Sequence, residues 1–201
     1  MSSQMATSEE SGVPGASRVA ASAGLGVFAA VIGYLFTYLL ISGEVRENVS
    51  ENVAEWKAVA WYFYNGHMVD IQSTGSFGSF GGTDTVNFIA ESSSSTAGIL
   101  YVLPPLALLA VGAFLAYRWN TTDLGEAIIV GTPVTIGYAL VMGIGAVVTE
   151  SSAEWSTFGI EGSSSVAPVL VPAILLGGII YPLVFSNAGA AIATAFNSRE
   201  R

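Results

Sequence analysis

Four runs along this chain lack every ionisable side chain, and each is long enough for a helix to cross a bilayer. Val19 to Ser42, Ile99 to Tyr117, Ala127 to Thr149 and Val166 to Phe185 contain no Asp, Glu, Lys, Arg or His. A helix rises about 1.5 Å per residue and the hydrocarbon core is about 30 Å thick, so roughly twenty apolar residues suffice. The pattern predicts four transmembrane helices. Pro104 and Pro105 fall in the first turns of the second, where a missing N–H costs least. Pro133 in the third span and Pro182 in the fourth lie deeper and predict kinks. The fourth helix continues through the small-residue run to 195.

The stretch from Glu44 to Ala97 breaks this pattern. Val45, Val49, Val53, Trp56, Ala60 and Phe63 recur at intervals of three and four, one stripe of an amphipathic helix over 44–64, with Glu47, Glu51 and Glu55 opposite. Asn65-Gly66 reads as its stop. Beyond it, 68–72 and 86–90 alternate apolar and polar residues around a glycine-rich loop, which predicts two short strands. A shorter polar loop, 150–165, separates spans three and four. Residues 1–18 and 196–201 read as tails. The expected fold class is therefore an all-α membrane protein: four transmembrane helices with a small extracellular helix-plus-hairpin insertion between helices 1 and 2. So small an insertion without disulfides depends on the helix ends for support. Its valine stripe is expected to pack on the strand pair or on Trp155, Phe158 and Ile160.

Composition sharpens this picture. A chain with 52% hydrophobic and 10% charged residues is far from a soluble globule, whose charged share is about 25%. The net charge of -9 excludes nucleic acid as a partner, and the absence of cysteine removes disulfide, thiolate-metal and thiol redox chemistry. Arg18, Arg118, Arg199 and Arg201 fall on one side of the four spans. By the positive-inside tendency that side is cytoplasmic, with both termini, and 44–97 and 150–165 face out together. The protein is expected in the cell membrane as a multi-pass chain, in contact with lipid.

Candidate chemistry is sparse. The row Glu44, Glu47, Glu51 and Glu55 is a solvated face, since one straight helix cannot wrap a hard cation in oxygen ligands. His67 is the only histidine and stands just after the helix stop. Asp70 is its sole nearby carboxylate, so it reads as a turn or interface residue, not a catalytic or metal-binding one. No cofactor, metal or catalytic residue is expected. Within the spans the polar groups are Tyr34, Thr37, Tyr38, Thr132, Thr135, Tyr138 and Tyr181. They can line a path for a neutral solute, or bond neighbouring helices at about 0.6 kcal/mol each.

The distinctive stretches YVLPPLALLAVG and GEAIIVGTPVTIGYALV, the acidic lysine-poor loops and the order of one span, a long loop and three spans resemble uncharacterised small membrane proteins of haloarchaea. That resemblance implies a four-span topology and a domain of unknown function, with no site residues to carry over. The functional expectation is a non-enzymatic scaffold or accessory subunit that presents an acidic outer domain to a protein partner or to another copy of itself. The stripe Val45 to Phe63 and Glu47, Glu51 and Glu55 are the expected partner face. The alternative is a channel or carrier for a small neutral solute, running along the Tyr and Thr groups.

Overall fold

The computed structural model describes residues 15–49, 52–94 and 96–199. The expected N-terminal tail up to residue 14, Glu51 and the last two residues lie outside them. Four helices are long and apolar enough to cross a membrane: Gly15–Glu47, Ala97–Arg118, Leu124–Val148 and Leu170–Asn197. Their outward surface is apolar, with Phe28, Leu39, Ile128, Ile144 and Val184 all exposed.

Helix α1 (Gly15–Asn48) is a single helix of 34 residues that runs past the expected end of the first span. This divides the helix expected over 44–64. Its first turn belongs to α1; the chain then reverses, and α2 (Glu55–Asn65) runs back along α1. The reversal is pinned at Glu55, whose carboxylate takes the Arg46 guanidinium at 2.9 Å and the Tyr38 hydroxyl at 2.7 Å. Every residue of α2 from Ala58 to Asn65 is buried. A helix covered on all sides belongs inside a bundle, not on its surface. Further along, the Tyr34 hydroxyl donates to the Trp56 carbonyl at 3.0 Å, Phe63 packs on Gly33, and the Tyr64 hydroxyl donates to the Met142 carbonyl at 2.6 Å. So α2 is a plug sunk into one end of the bundle.

The fold is mostly helical but not all-α, because the polar connections form a four-stranded antiparallel sheet in the order β2-β1-β4-β3. Strands β1 (Ile71–Phe77) and β2 (Phe80–Val86) make one hairpin; β3 (Ser151–Thr157) and β4 (Ile160–Pro168) make the other. The glycine-rich stretch expected as a loop supplies the strands, with Gly75 opposite Gly82. Most of 86–90, expected as a strand, instead enters a short helix α3 (Phe88–Glu91), because the Asn87 side chain accepts from the Ala90 amide and starts a turn there. The 150–165 loop and the first residues assigned to span four are β3 and β4, so that helix begins at Leu170. Pairing of β1 with β4 holds both polar connections at the same end of the bundle.

After a 3-10 turn (Ala97–Tyr101), α4 (Leu103–Arg118) carries the chain about 24 Å to the opposite end. The third span is α5 (Leu124–Gly131) and α6 (Val134–Val148), interrupted at Pro133. The fourth comprises α7 (Leu170–Pro172), a π-helical stretch (Ala173–Ile180) and α8 (Tyr181–Asn197). The wide turns end just before Pro182, whose ring removes one backbone donor from the ladder. Close backbone contacts join α1 to α6 and α4 to α8.

Candidate functional site

The plug ends in a buried polar centre. The turn after α2 places His67 at 0% exposure, between Phe63, Tyr138 and Tyr181, with ring centroids 4.7, 5.7 and 5.3 Å away. Its Nδ1 lies 2.8 Å from the Phe63 carbonyl oxygen, which only accepts, so Nδ1 carries a hydrogen. Nε2 lies 2.7 Å from the Tyr138 hydroxyl; in the neutral ring it accepts the tyrosine proton. Gly177, on the π-helical stretch, packs against this centre: a Cβ there would fall 2.6 Å from Met142 Cε and at ordinary contact, 3.5 Å, from His67 Cβ. Asn65 completes the turn, donating to the Val69 carbonyl and accepting from the Phe88 amide, both at 2.8 Å. His67 is thus a turn residue, as its sequence position implies, but one seated inside the bundle.

The polar residues of the four long apolar helices do not converge on one path. Tyr34 and Tyr38 stitch α1 to α2, and Thr37 donates to the Gly33 carbonyl one turn back in its own helix at 2.9 Å. Thr132 meets Asn187 across α5 and α8 at 3.4 Å. Tyr138 and Tyr181 both adjoin His67, and the buried Thr135 hydroxyl has no hydrogen-bond partner. The expected valine stripe is likewise shared between two elements. Val45 is buried at the end of α1, Val49 and Val53 are half-buried in the reversal, Ala60 and Phe63 are buried on α2, and Trp56 is exposed. Glu47 is exposed at the end of α1 and Glu55 is paired with Arg46 at the start of α2; Glu51 lies outside the described residues.

The Arg46 hydrogen bond, and after it the Tyr38 one, hold the Glu55 carboxyl below its ordinary value of 4.5. A carboxyl depressed in the folded state stabilises fully above the unfolded pKa and loses that contribution as pH falls through the folded one. Acidification from neutral pH to below 4 should therefore loosen the start of α2, seen as lower amide protection over 55–58 once rates are referred to the intrinsic exchange rate at each pH, and Glu55→Gln should remove the pH dependence of that protection.

The second feature is the far end of the sheet. Register places Phe80, Phe77, Gly162 and Trp155 side by side across all four strands, and directly opposed residues share a face. The Trp155 ring lies over Gly162, where a Cβ would fall 2.5 Å from it, so the aromatic row is continuous. Phe80 is 81% exposed. The next row on this face, Gly82, Gly75, Ser164 and Ala153, is small-chained. The other face carries hydroxyls, with Ser76 bonded to Ser163 at 2.8 Å.

At the tip, Phe158-Gly159 forms a two-residue turn with φ 54° and 79°. Both central residues of such a type I′ turn need positive φ, which asparagine and glycine tolerate and phenylalanine resists at a cost of about 1–2 kcal/mol. Phe158 is nevertheless there, fully exposed. The acidic side chains of the sheet are Asp84, Glu154 and Glu161, and it has no basic one.

A family model described as a family of unknown function, DUF7978, matches residues 1–197. The chain belongs to DUF7978. No curated protein and no solved structure matches it. For this DUF7978 chain the chemistry must be read from the side chains themselves. Among the described residues, no three His, Asp or Glu side chains are grouped to hold a metal. His67 has tyrosines and a carbonyl about it, an arrangement that fixes a plug in place. Neither His67 nor the aromatic row was singled out as a site from sequence. The available signals were the uninterrupted apolar run from Ala58 to Tyr64 and the recurrence of Phe beside glycine at 77–80 and 158–159.

Proposed function

We propose that this protein is a four-span membrane protein that acts as a non-enzymatic scaffold or accessory subunit, presenting its acidic sheet outside the cell to a protein partner. The observation that carries this reading is the exposed aromatic row of Phe80, Phe77 and Trp155, with Phe158 fully exposed at the tip of the β3–β4 hairpin. A contiguous apolar patch rimmed by polar groups marks an interaction surface, and aromatics dominate the energetics of such surfaces. Asp84 shares the face of this row, and Glu154 and Glu161 lie on the opposite face of the same sheet, so the surface favours a partner with basic residues about an apolar centre. The backbone strain at Phe158 supports the same reading, because strain persists where function requires the side chain. Orientation with both termini in the cytoplasm is supported by Arg18, Arg118 and Arg199 at the end opposite the sheet.

The alternative, a channel or carrier for a neutral solute, is less favoured because Tyr34, Tyr38, Thr132 and Tyr138 already bond neighbouring elements.

Purification from native membranes in mild detergent, followed by mass spectrometry, should recover a stoichiometric protein partner or a homo-oligomer. An inert monomer would overturn the proposal. Phe158→Asn separates binding from folding: it should leave thermal stability equal or raised by up to about 1 kcal/mol, while the partner is lost from the preparation.

A further inference from the structure

Below α2, α1 and α6 touch through their backbones, and a Cβ on Gly137 would meet the Ala23 carbonyl. Above that point α2 wedges the two helices apart, with Phe63 against Gly33 and Tyr64 against Gly145. Beside the wedge an open groove of about 220 Å³ remains, floored by Ala30, Ala60 and Val141 and bounded by Val31, Tyr34 and Trp56. Three hydroxyls line it, and each is committed to a main-chain carbonyl: Tyr34 to Trp56, Tyr64 to Met142 and Thr149 to Gly145. An occupant therefore meets carbon almost everywhere. The groove opens beside Val31, Leu35, Leu140 and Ile144, which are exposed on apolar helices.

Its upper edge is different. Lys57, the only lysine of the chain, sets its ammonium 5.6 Å from the Trp56 ring centroid and donates to the Glu150 carbonyl at 2.5 Å. Among the described residues it makes no ion pair. An ammonium has three hydrogens to donate, and the Glu150 carbonyl takes one of them. Lys57 lies level with the end of α6, beside an exposed tryptophan, the depth at which lipid headgroups meet protein.

We propose that this groove is a binding site for one anionic phospholipid, with an acyl chain along Ala30, Ala60 and Val141 and the phosphate on the Lys57 ammonium. The proposal rests on the four helices lying in a bilayer and is independent of the protein partner. Charge complementarity selects the occupant: a carbon-lined slot with the Lys57 ammonium beside its Trp56 edge fits an amphiphile with an apolar chain and an anionic head.

The test uses the full-length protein in detergent, stripped of lipid and titrated separately with dioleoylphosphatidylglycerol, dioleoylphosphatidylcholine and glycerol phosphate, with bound mass read by native mass spectrometry. One phosphatidylglycerol should be retained about fivefold more tightly than phosphatidylcholine, the ratio expected for one cation at a lipid surface. Lys57→Gln should bring the two lipids level, and Val31→Phe, a change at an exposed position on the groove wall, should weaken both. Equal retention of the two lipids by the unaltered protein would overturn the proposal, as would an unchanged preference in Lys57→Gln. Glycerol phosphate binding as tightly as phosphatidylglycerol would also overturn it, because the site would then be one for free phosphate.

Discussion

Replacing His67 with alanine should cost about 3 kcal/mol of folding stability, read as a lowered thermal midpoint in detergent. It should also release α2 before the rest of the bundle, read by amide exchange. The interhelical hydrogen bond to Tyr138 cannot supply that amount by itself, since such bonds average about 0.6 kcal/mol within membrane bundles. The larger part comes from what the substitution leaves behind. The Tyr138 hydroxyl and the Phe63 carbonyl lose their partner at a site with no exposure, and each unsatisfied buried group costs about 1–3 kcal/mol. The vacated ring volume adds a cavity term. Tyr138→Phe is the milder companion: it keeps the packing and leaves only Nε2 unpaired, so it should cost about 1 kcal/mol. A midpoint for His67→Ala indistinguishable from the parent would show that α2 is held by its apolar surface and that His67 merely occupies the turn.

That plug was the least legible part of the chain. Charge-free runs show in any window of some twenty residues, because the solvent they report on acts on each residue separately. The stripe from Val45 to Phe63 satisfies the same helical period whether it lies on one helix or on two antiparallel ones. No proline or glycine occurs between 49 and 54 in the sequence. The break is made by contacts distant in sequence, Arg46 and Tyr38 with Glu55, and Tyr34 with Trp56. The aromatic row was hidden for a related reason. Phe77 and Phe80 face each other within the β1–β2 hairpin, but Trp155 joins them only when β1 pairs with β4, and the serines 163–165, inside the stretch expected as a polar loop, form the middle of that strand. Tyr138 and Tyr181 were recognisable as intramembrane polar groups, but their common neighbour was not, since every local signal at Asn65-Gly66-His67 indicates a turn. The turn is there; its depth is set by α2, buried from Ala58 to Asn65.

A further large effect should follow from adding a single methyl group to the bundle. On α4, a Cβ at Gly112 would meet the Ser186 carbonyl, and on α8, a Cβ at Gly189 would meet the Leu109 carbonyl. Each helix therefore offers a glycine to a carbonyl of the other, one turn apart, and the backbones touch. The pair α1 and α6 repeats the arrangement through Gly26 at Val134 and Gly137 at Ala23. Backbone cannot move aside as a side chain can, so Gly112→Ala must push two spans apart along their length and should cost about 3 kcal/mol, the upper end of overpacking. Helix propensity acts in the opposite direction, favouring alanine over glycine by about 1 kcal/mol. Gly24 isolates that term, because a Cβ there meets nothing within 4 Å. Gly24→Ala should thus raise the thermal midpoint while Gly112→Ala lowers it, although the chemical change is the same. If the two variants shifted the midpoint in the same direction, the close approach of α4 and α8 would be refuted. With it would go the packed frame that leaves α2 its socket at one end of the bundle.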